Sequence, residues 1–187
     1  MDSEDGSSFF VPIRLALALG FREDQELDEV QVEAVERAVK LQAAKEKALR
    51  LLAMREHSRL ELQVKLIQRE FDVAIVRQAL DELADGGFVS DRRFAESFIA
   101  SRQRKSPEGR SVLEARLREH GIDRSVAQAA LDQWFSQEGN EEEALRAALR
   151  KLERTAKHDV DIERKLRMKG FSLQAVRSVL AEEDTQE

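Results

Sequence analysis

Three stretches of this chain superimpose on one another, and that internal repeat limits its possible folds more than any other feature. "ELQVKLIQREFDVAIVRQAL" from Glu61, "VLEARLREHGIDRSVAQAAL" from Val112 and "DIERKLRMKGFSLQAVRSVL" from Asp161 start 51 and 49 residues apart. Such a period marks supersecondary units that bury their apolar faces by packing on their neighbours. Leu62, Leu113 and Ile162 correspond, and Leu66, Leu117 and Leu166 follow four residues later on the same helical face. Phe71, Ile122 and Phe171 close the turn. Asp72, Asp123 and Ser172 then supply side-chain oxygens suited to capping a new helix. That helix should bury Ile75, Val126 and Ala175, then Ala79/Leu80, Ala130/Leu131 and Val179/Leu180. Gly121 and Gly170 stand two positions before the cap, where a helix end favours a left-handed residue. Glu70 holds that place in the first copy, which predicts a less comfortable helix end.

Each copy has a helical run upstream: "AAKEKALRLLAMREH", "DRRFAESFIASRQRK" and "EEEALRAALRKLERTAK". With only two prolines, and with Ala, Leu, Glu, Arg, Lys and Gln dominating beyond residue 27, helix is favoured nearly throughout. The expected fold is all-α, with three tandem three-helix repeats in an elongated, curved arrangement and a short N-terminal extension. The extension covers residues 1–26, and its apolar run "FFVPIRLALALGF" reads as a strand or a short helix. The repeats cover 27–84, 90–134 and 141–183. The first opens with a helix running back through Leu27 to a length of roughly 45 Å.

"FVSDRRFAESF", residues 88 to 98, sits where the first repeat hands over to the second. Gly86 and Gly87 end one unit, Phe88 should plug back against it, and Ser90 or Asp91 caps the next helix. Phe94, Ala95, Phe98 and Ile99 form a buried stripe, leaving Arg92 and Arg93 with spare capacity. Charge along the chain is uneven. Residues 1–40 hold 4 basic and 10 acidic side chains, whereas residues 92–118 hold 8 against 3 and residues 146–169 hold 9 against 4. Basic stretches of this kind suit phosphate or an acidic protein surface.

A turn followed by Asp-x-x-Phe-Ala leads into an arginine-rich helix end (Arg102, Arg104, Lys105), then Gly109–Arg110, a Leu-x-x-x-Leu pair and "GID". This succession resembles the RecX regulators of the RecA recombinase. "ALRLLAMREHSRLELQVKLIQREF" and "RKLRMKGFSLQAVRSVL" are similar to that family's first and third units. The resemblance spans about residues 27–183. Ser90 departs from it, standing where the family often has a second acid before the capping Asp. The resemblance implies a protein that binds RecA and its filaments on DNA, in or along their helical groove, and restrains recombination and the linked co-protease activity.

Residues for catalysis are harder to assemble. The chain has no cysteine, which excludes disulfides, thiolate nucleophiles and cysteine-ligated zinc. His57, His120 and His158 lie near helix ends without a partner ligand at i+3 or i+4, so they read as capping or solvated groups, and no metal or cofactor is expected. Glu141, Glu142 and Glu143 read as the acidic first turn of a helix. The chain is therefore expected not to be an enzyme. The N-terminal "MDSEDG" lacks the positive charge of a secretory signal, and no apolar run approaches a membrane span, so a cytoplasmic monomer is expected. Two other readings stand beside a RecA regulator: a nonspecific or helix-turn-helix-like DNA-binding module with weak DNA affinity, and a generic helical adaptor. Against base reading, the final helices of the first two units, "DVAIVRQALDEL" and "DRSVAQAALDQW", carry one arginine each. The candidate partner contacts are Arg93, Arg102, Lys105, Arg110, Arg116, Arg118, Lys165, Arg167 and Lys169. Arg116 and Lys165 share a repeat position, as Lys65 does in the first copy, and Arg118 and Arg167 are likewise equivalent. Pairing with neighbours such as Glu114 or Glu163 is the competing role for each.

Overall fold

The computed structural model describes residues 11, 13–18, 20, 22, 26–153 and 159–183. Ten helices run through them in chain order: α1 (Ile13–Ala18), α2 (Glu29–Leu52), α3 (Arg59–Ile67), α4 (Val73–Asp85), α5 (Asp91–Lys105), α6 (Arg110–Glu119), α7 (Arg124–Phe135), α8 (Asn140–Glu153), α9 (Asp159–Met168) and α10 (Leu173–Glu183). The fold is all-α and built of repeated three-helix groups. Within the extension, Ile13–Ala18 is a helix rather than a strand, and Ile13 and Leu17 are exposed on it. The opening helix is shorter than the sequence suggests. Asp28 starts it through a capping box with Gln31, and it stops at Leu52. Its 24 residues span about 36 Å.

The chain divides into two compact units, residues 1–55 with 61–89, and residues 56–60 with 90–187. In the first, Ala48, Leu62, Leu66, Val76, Leu80, Leu83 and Val89 form the main core, and Ala44, Ile75 and Ala79 form a smaller one beside α2. Val89 supplies the plug expected of Phe88, whose ring stays 55% exposed. The second unit has one core around Phe94, Ile99, Leu113, Leu117 and Leu131, and another around Leu145, Leu149, Leu166, Phe171 and Val176. Leu66, Leu117 and Leu166 are all essentially inaccessible, as their shared repeat position requires. On the last helix of each group the deepest early position is Val76, Ala127 and Val176. That is one residue beyond the expected Val126 and Ala175, which are only half-buried.

The turn joining the second and third helices is built alike in all three copies. The N–H groups of Phe71, Ile122 and Phe171 donate to the carbonyls of Leu66, Leu117 and Leu166, at 3.3, 3.0 and 3.3 Å. The same pairs thus carry both the hydrophobic contact and the hydrogen bond that ends the helix. Asp72 caps α4 through the N–H groups of Ala74 and Ile75, Asp123 caps α7 through that of Ser125, and Ser172 Oγ accepts from the Ala175 N–H. The turn needs one left-handed residue, and φ is +75° at Gly121, +89° at Gly170 and +64° at Glu70. A side chain in that region costs roughly 1–2 kcal/mol, while glycine costs about 0.5–1 kcal/mol in unfolded-chain entropy. Glu70 is exposed, so Glu70→Gly should stabilise the chain by about 0.5–1 kcal/mol. Urea denaturation should show the midpoint rising with an unchanged m-value; a lower midpoint would refute the strain at this turn.

At the start of α5 it is Ser90 that caps, its Oγ accepting from the Arg93 N–H at 3.2 Å. Asp91, the first residue of the helix, turns elsewhere: its Oδ1 accepts from the backbone N–H of Arg59 at 2.8 Å. Ser90 and Asp91 therefore cap two different segments.

Candidate functional site

All nine candidate cations lie in the second unit, and their surroundings sort them into two groups. Four are engaged by carboxylates. Arg93 Nε meets Glu56 at 2.9 Å, and Arg110 pairs with Asp132 while its guanidinium lies 6.0 Å from the centre of the Phe135 ring. Arg102 and Arg116, from α5 and α6, converge on Glu108 in the loop between those helices. Arg116 forks onto both carboxylate oxygens at 2.9 Å, and Arg102 does the same through Nε at 3.1 Å and through its terminal nitrogen. The Glu108 side chain is 5% exposed. Its backbone is held as well, by a reciprocal pair of bonds with the Gln103 side-chain amide at 2.8 and 3.1 Å.

Burial alone would raise the Glu108 pKa and is the largest single influence on it. The hydrogen bonds and charges of Arg102 and Arg116 together outweigh burial and hold the carboxyl below its ordinary value. Two bidentate arginines on one buried carboxylate fill its acceptor sites, so this cluster is internal architecture. The pairings of Arg93, Arg102, Arg110 and Arg116 thus go to Glu56, Glu108 and Asp132 rather than to Glu114 or Glu163.

The other candidate cations meet no carboxylate among the described residues. Arg118 on α6 and Arg167 on α9 are exposed, Lys165 is half-buried, and none of the three meets a carboxylate among the described residues. Lys105 and Lys169 come together at the end of α5. Lys169 Nζ lies 3.3 Å from Ser106 Oγ, and the Lys105 carbonyl accepts from Lys151 Nζ at 2.6 Å. Lys151, on α8, is a cation that the repeat pattern did not single out, because it lies outside the three superimposable stretches.

Backbone contact holds this region together. The Gly109 N–H donates to the Lys169 carbonyl at 2.8 Å, and Ser111 Oγ donates to the Gly170 carbonyl at 3.2 Å. A Cβ on Gly109 would fall 2.1 Å from the carbonyl carbon and oxygen of Gly170. Only glycine permits that approach.

Of the capping or solvated placement expected of the histidines, His120 takes the first, standing at the C-cap of α6, while His57 is buried. His57 is 3% exposed, and His120 ends α6 with its ring edge-on to Phe94 and Phe98, at centroid distances of 5.3 and 4.9 Å. His158 lies outside the described residues. Among the described residues there is no group of three or more His, Asp or Glu arranged to hold a metal ion. Nor is any helix among them long and apolar enough to cross a membrane.

Tandem three-helix groups, each built around an apolar core of its own, define a class, the helical repeat proteins. Residues 44–83 match the family model described as RecX, first three-helix domain, and residues 90–131 match RecX, second three-helix domain. The chain belongs to the RecX family of regulatory proteins. "Regulatory protein RecX" of Chlorobium phaeobacteroides is 36% identical over 138 residues, covering 71% of this chain and 88% of that protein. The protein of the same name from Chlorobaculum tepidum is 35% identical over 146 residues, covering 75% and 88%. A crystal structure of regulatory protein RecX aligns with a TM-score of 0.75 over 95% of this chain and 90% of that one, at 21% identity. RecX from Lactobacillus salivarius aligns at 0.63 over 78% and 97%, also at 21%.

Proposed function

We propose that this protein binds RecA and its filaments on DNA and inhibits their recombinase and co-protease activities, acting as a monomer in the cytoplasm and not as an enzyme. Membership of a family of regulatory proteins carries this reading. The cations that meet no carboxylate among the described residues support it and narrow the contact surface. Arg118, Lys165 and Arg167 are the residues assigned to filament contact, whereas Arg102 and Arg116 are assigned to holding Glu108. Charges at the rim of an interface act mainly on association rate and salt dependence and little on the fold.

The test is co-sedimentation with RecA filaments formed on single-stranded DNA with ATP, alongside inhibition of strand exchange. The wild-type chain should pellet with filaments and slow exchange. Arg118→Glu, Lys165→Glu and Arg167→Glu combined should leave melting nearly unchanged yet weaken pelleting strongly at low salt. A wild-type chain that stays in the supernatant would overturn the function. Full inhibition by the triple variant would overturn only the residue assignment.

A further inference from the structure

Positive charge gathers at the end of α5, which Lys151 of α8 and Lys169, just beyond α9, both reach. Lys151 and Lys169 reach the neighbouring residues Lys105 and Ser106, and the Lys105 side chain starts from the same point. The acceptors holding Lys151 and Lys169 are a carbonyl and a hydroxyl, both neutral. Hydrogen bonding therefore fixes these two ammonium groups without cancelling their charge. Glu108, the acid of the loop that follows α5, is buried and taken up by Arg102 and Arg116. The frame beneath is rigid, because the Gly109 and Gly170 backbones touch and exchange hydrogen bonds with their neighbours. Ordered, uncompensated ammonium groups around a hydroxyl make a receptor for phosphate oxygens. As point charges, lysines contact a phosphate without demanding the planar fork that a carboxylate offers to arginine.

We propose that Lys105, Lys151 and Lys169, with the Ser106 hydroxyl, form a contact site for the phosphodiester backbone of a nucleic-acid strand. The proposal assigns the site to the phosphates of the strand, contacts that position a protein and carry no sequence information. It deepens the function proposed above and rests on it only for the source of the strand, the DNA within the filament. Contact with phosphate also differs from contact with RecA itself, so the two can be separated.

The probe is a fluorescent single-stranded oligonucleotide of mixed sequence, titrated without RecA over a range of salt concentrations. The wild-type chain should bind, with log K falling linearly against log salt. Lys105→Gln, Lys151→Gln and Lys169→Gln combined should weaken binding about tenfold or more at low salt, to a similar extent on any sequence. Three lost contacts at about 0.7 each should make the salt slope shallower by about 2. The Lys→Arg version of the triple variant should retain binding, and circular dichroism melting confirms that each variant is folded. An oligonucleotide that binds wild type and Gln variant equally, or neither, overturns the proposal. So does a Gln variant that loses RecA filaments while keeping the oligonucleotide, which would assign the lysines to an acidic protein surface. Failure of the wild-type chain to bind filaments bears on the function proposed above and leaves the oligonucleotide result standing.

Discussion

Replacing Gly109 by alanine is expected to lower the melting temperature by roughly 6–12 °C, the equivalent of about 3 kcal/mol in a chain of this size. The reason is geometric. The new methyl would fall 2.1 Å from Gly170 and 2.4 Å from the Phe171 nitrogen, and both obstacles are backbone rather than the end of a pliable side chain. Relief requires the start of α6 to withdraw from the α9–α10 turn, which breaks the bond from the Gly109 N–H to the Lys169 carbonyl. Hydrogen exchange gives the sharper reading. Protection should fall first at Gly109 and through α8–α10, while α2–α4 stay as protected as in the wild type. A Gly109→Ala protein with native melting and native exchange would show that the two backbones do not touch.

Glu108→Gln is expected to cost about 2 kcal/mol at neutral pH, because it puts a neutral amide where a buried carboxylate accepts from two guanidinium groups that are themselves partly exposed. Acid should erase the difference. The Glu108 carboxyl is held below its ordinary value of 4.5, so its stabilising contribution is complete above that pH. The contribution is lost as pH falls through the lower, folded-state value. Melting temperatures of wild type and variant should therefore lie far apart at pH 7 and converge as the pH falls well below 4.5. A gap that stays constant across that range would mean that Glu108 contributes through shape rather than charge.

The scaffold was largely legible in the sequence. Helix 91–105 runs between the expected residues, and the leucines at 66, 117 and 166 occupy equivalent buried places. Glu70 takes up the backward-turning conformation that its place between Gly121 and Gly170 in the repeat implied. These features follow from periodicity and local backbone chemistry, which a single strip of sequence contains. The end of α2 was less legible. "MREH" continues a helical composition, yet residues 53–58 leave the helix, and His57 and Ser58 are buried. The roles of the arginines were not legible at all. Arg102 and Arg116 look like surface cations because the residue that claims them, Glu108, sits in a loop outside the three superimposable stretches. Which cation a loop carboxylate captures depends on where the loop folds, and no spacing rule expresses that. Lys151 was hidden for a similar reason: its neighbours, Lys105 and Lys169, are brought to it only by the packing of the second unit.

The sequence contains one tryptophan, and its position has a spectroscopic consequence. Trp134, near the end of α7, packs against both cores of the second unit, with its ring edge-on to Phe135 at a centroid distance of 4.7 Å. Intrinsic emission excited at the red edge therefore comes from a single fluorophore lodged on the seam between those cores. Any event that loosens that seam, whether heat, substitution or the docking of a partner, changes the polarity around the indole and shifts its emission maximum. The chain carries its own optical gauge of how tightly its second and third helical groups are joined, with no label attached.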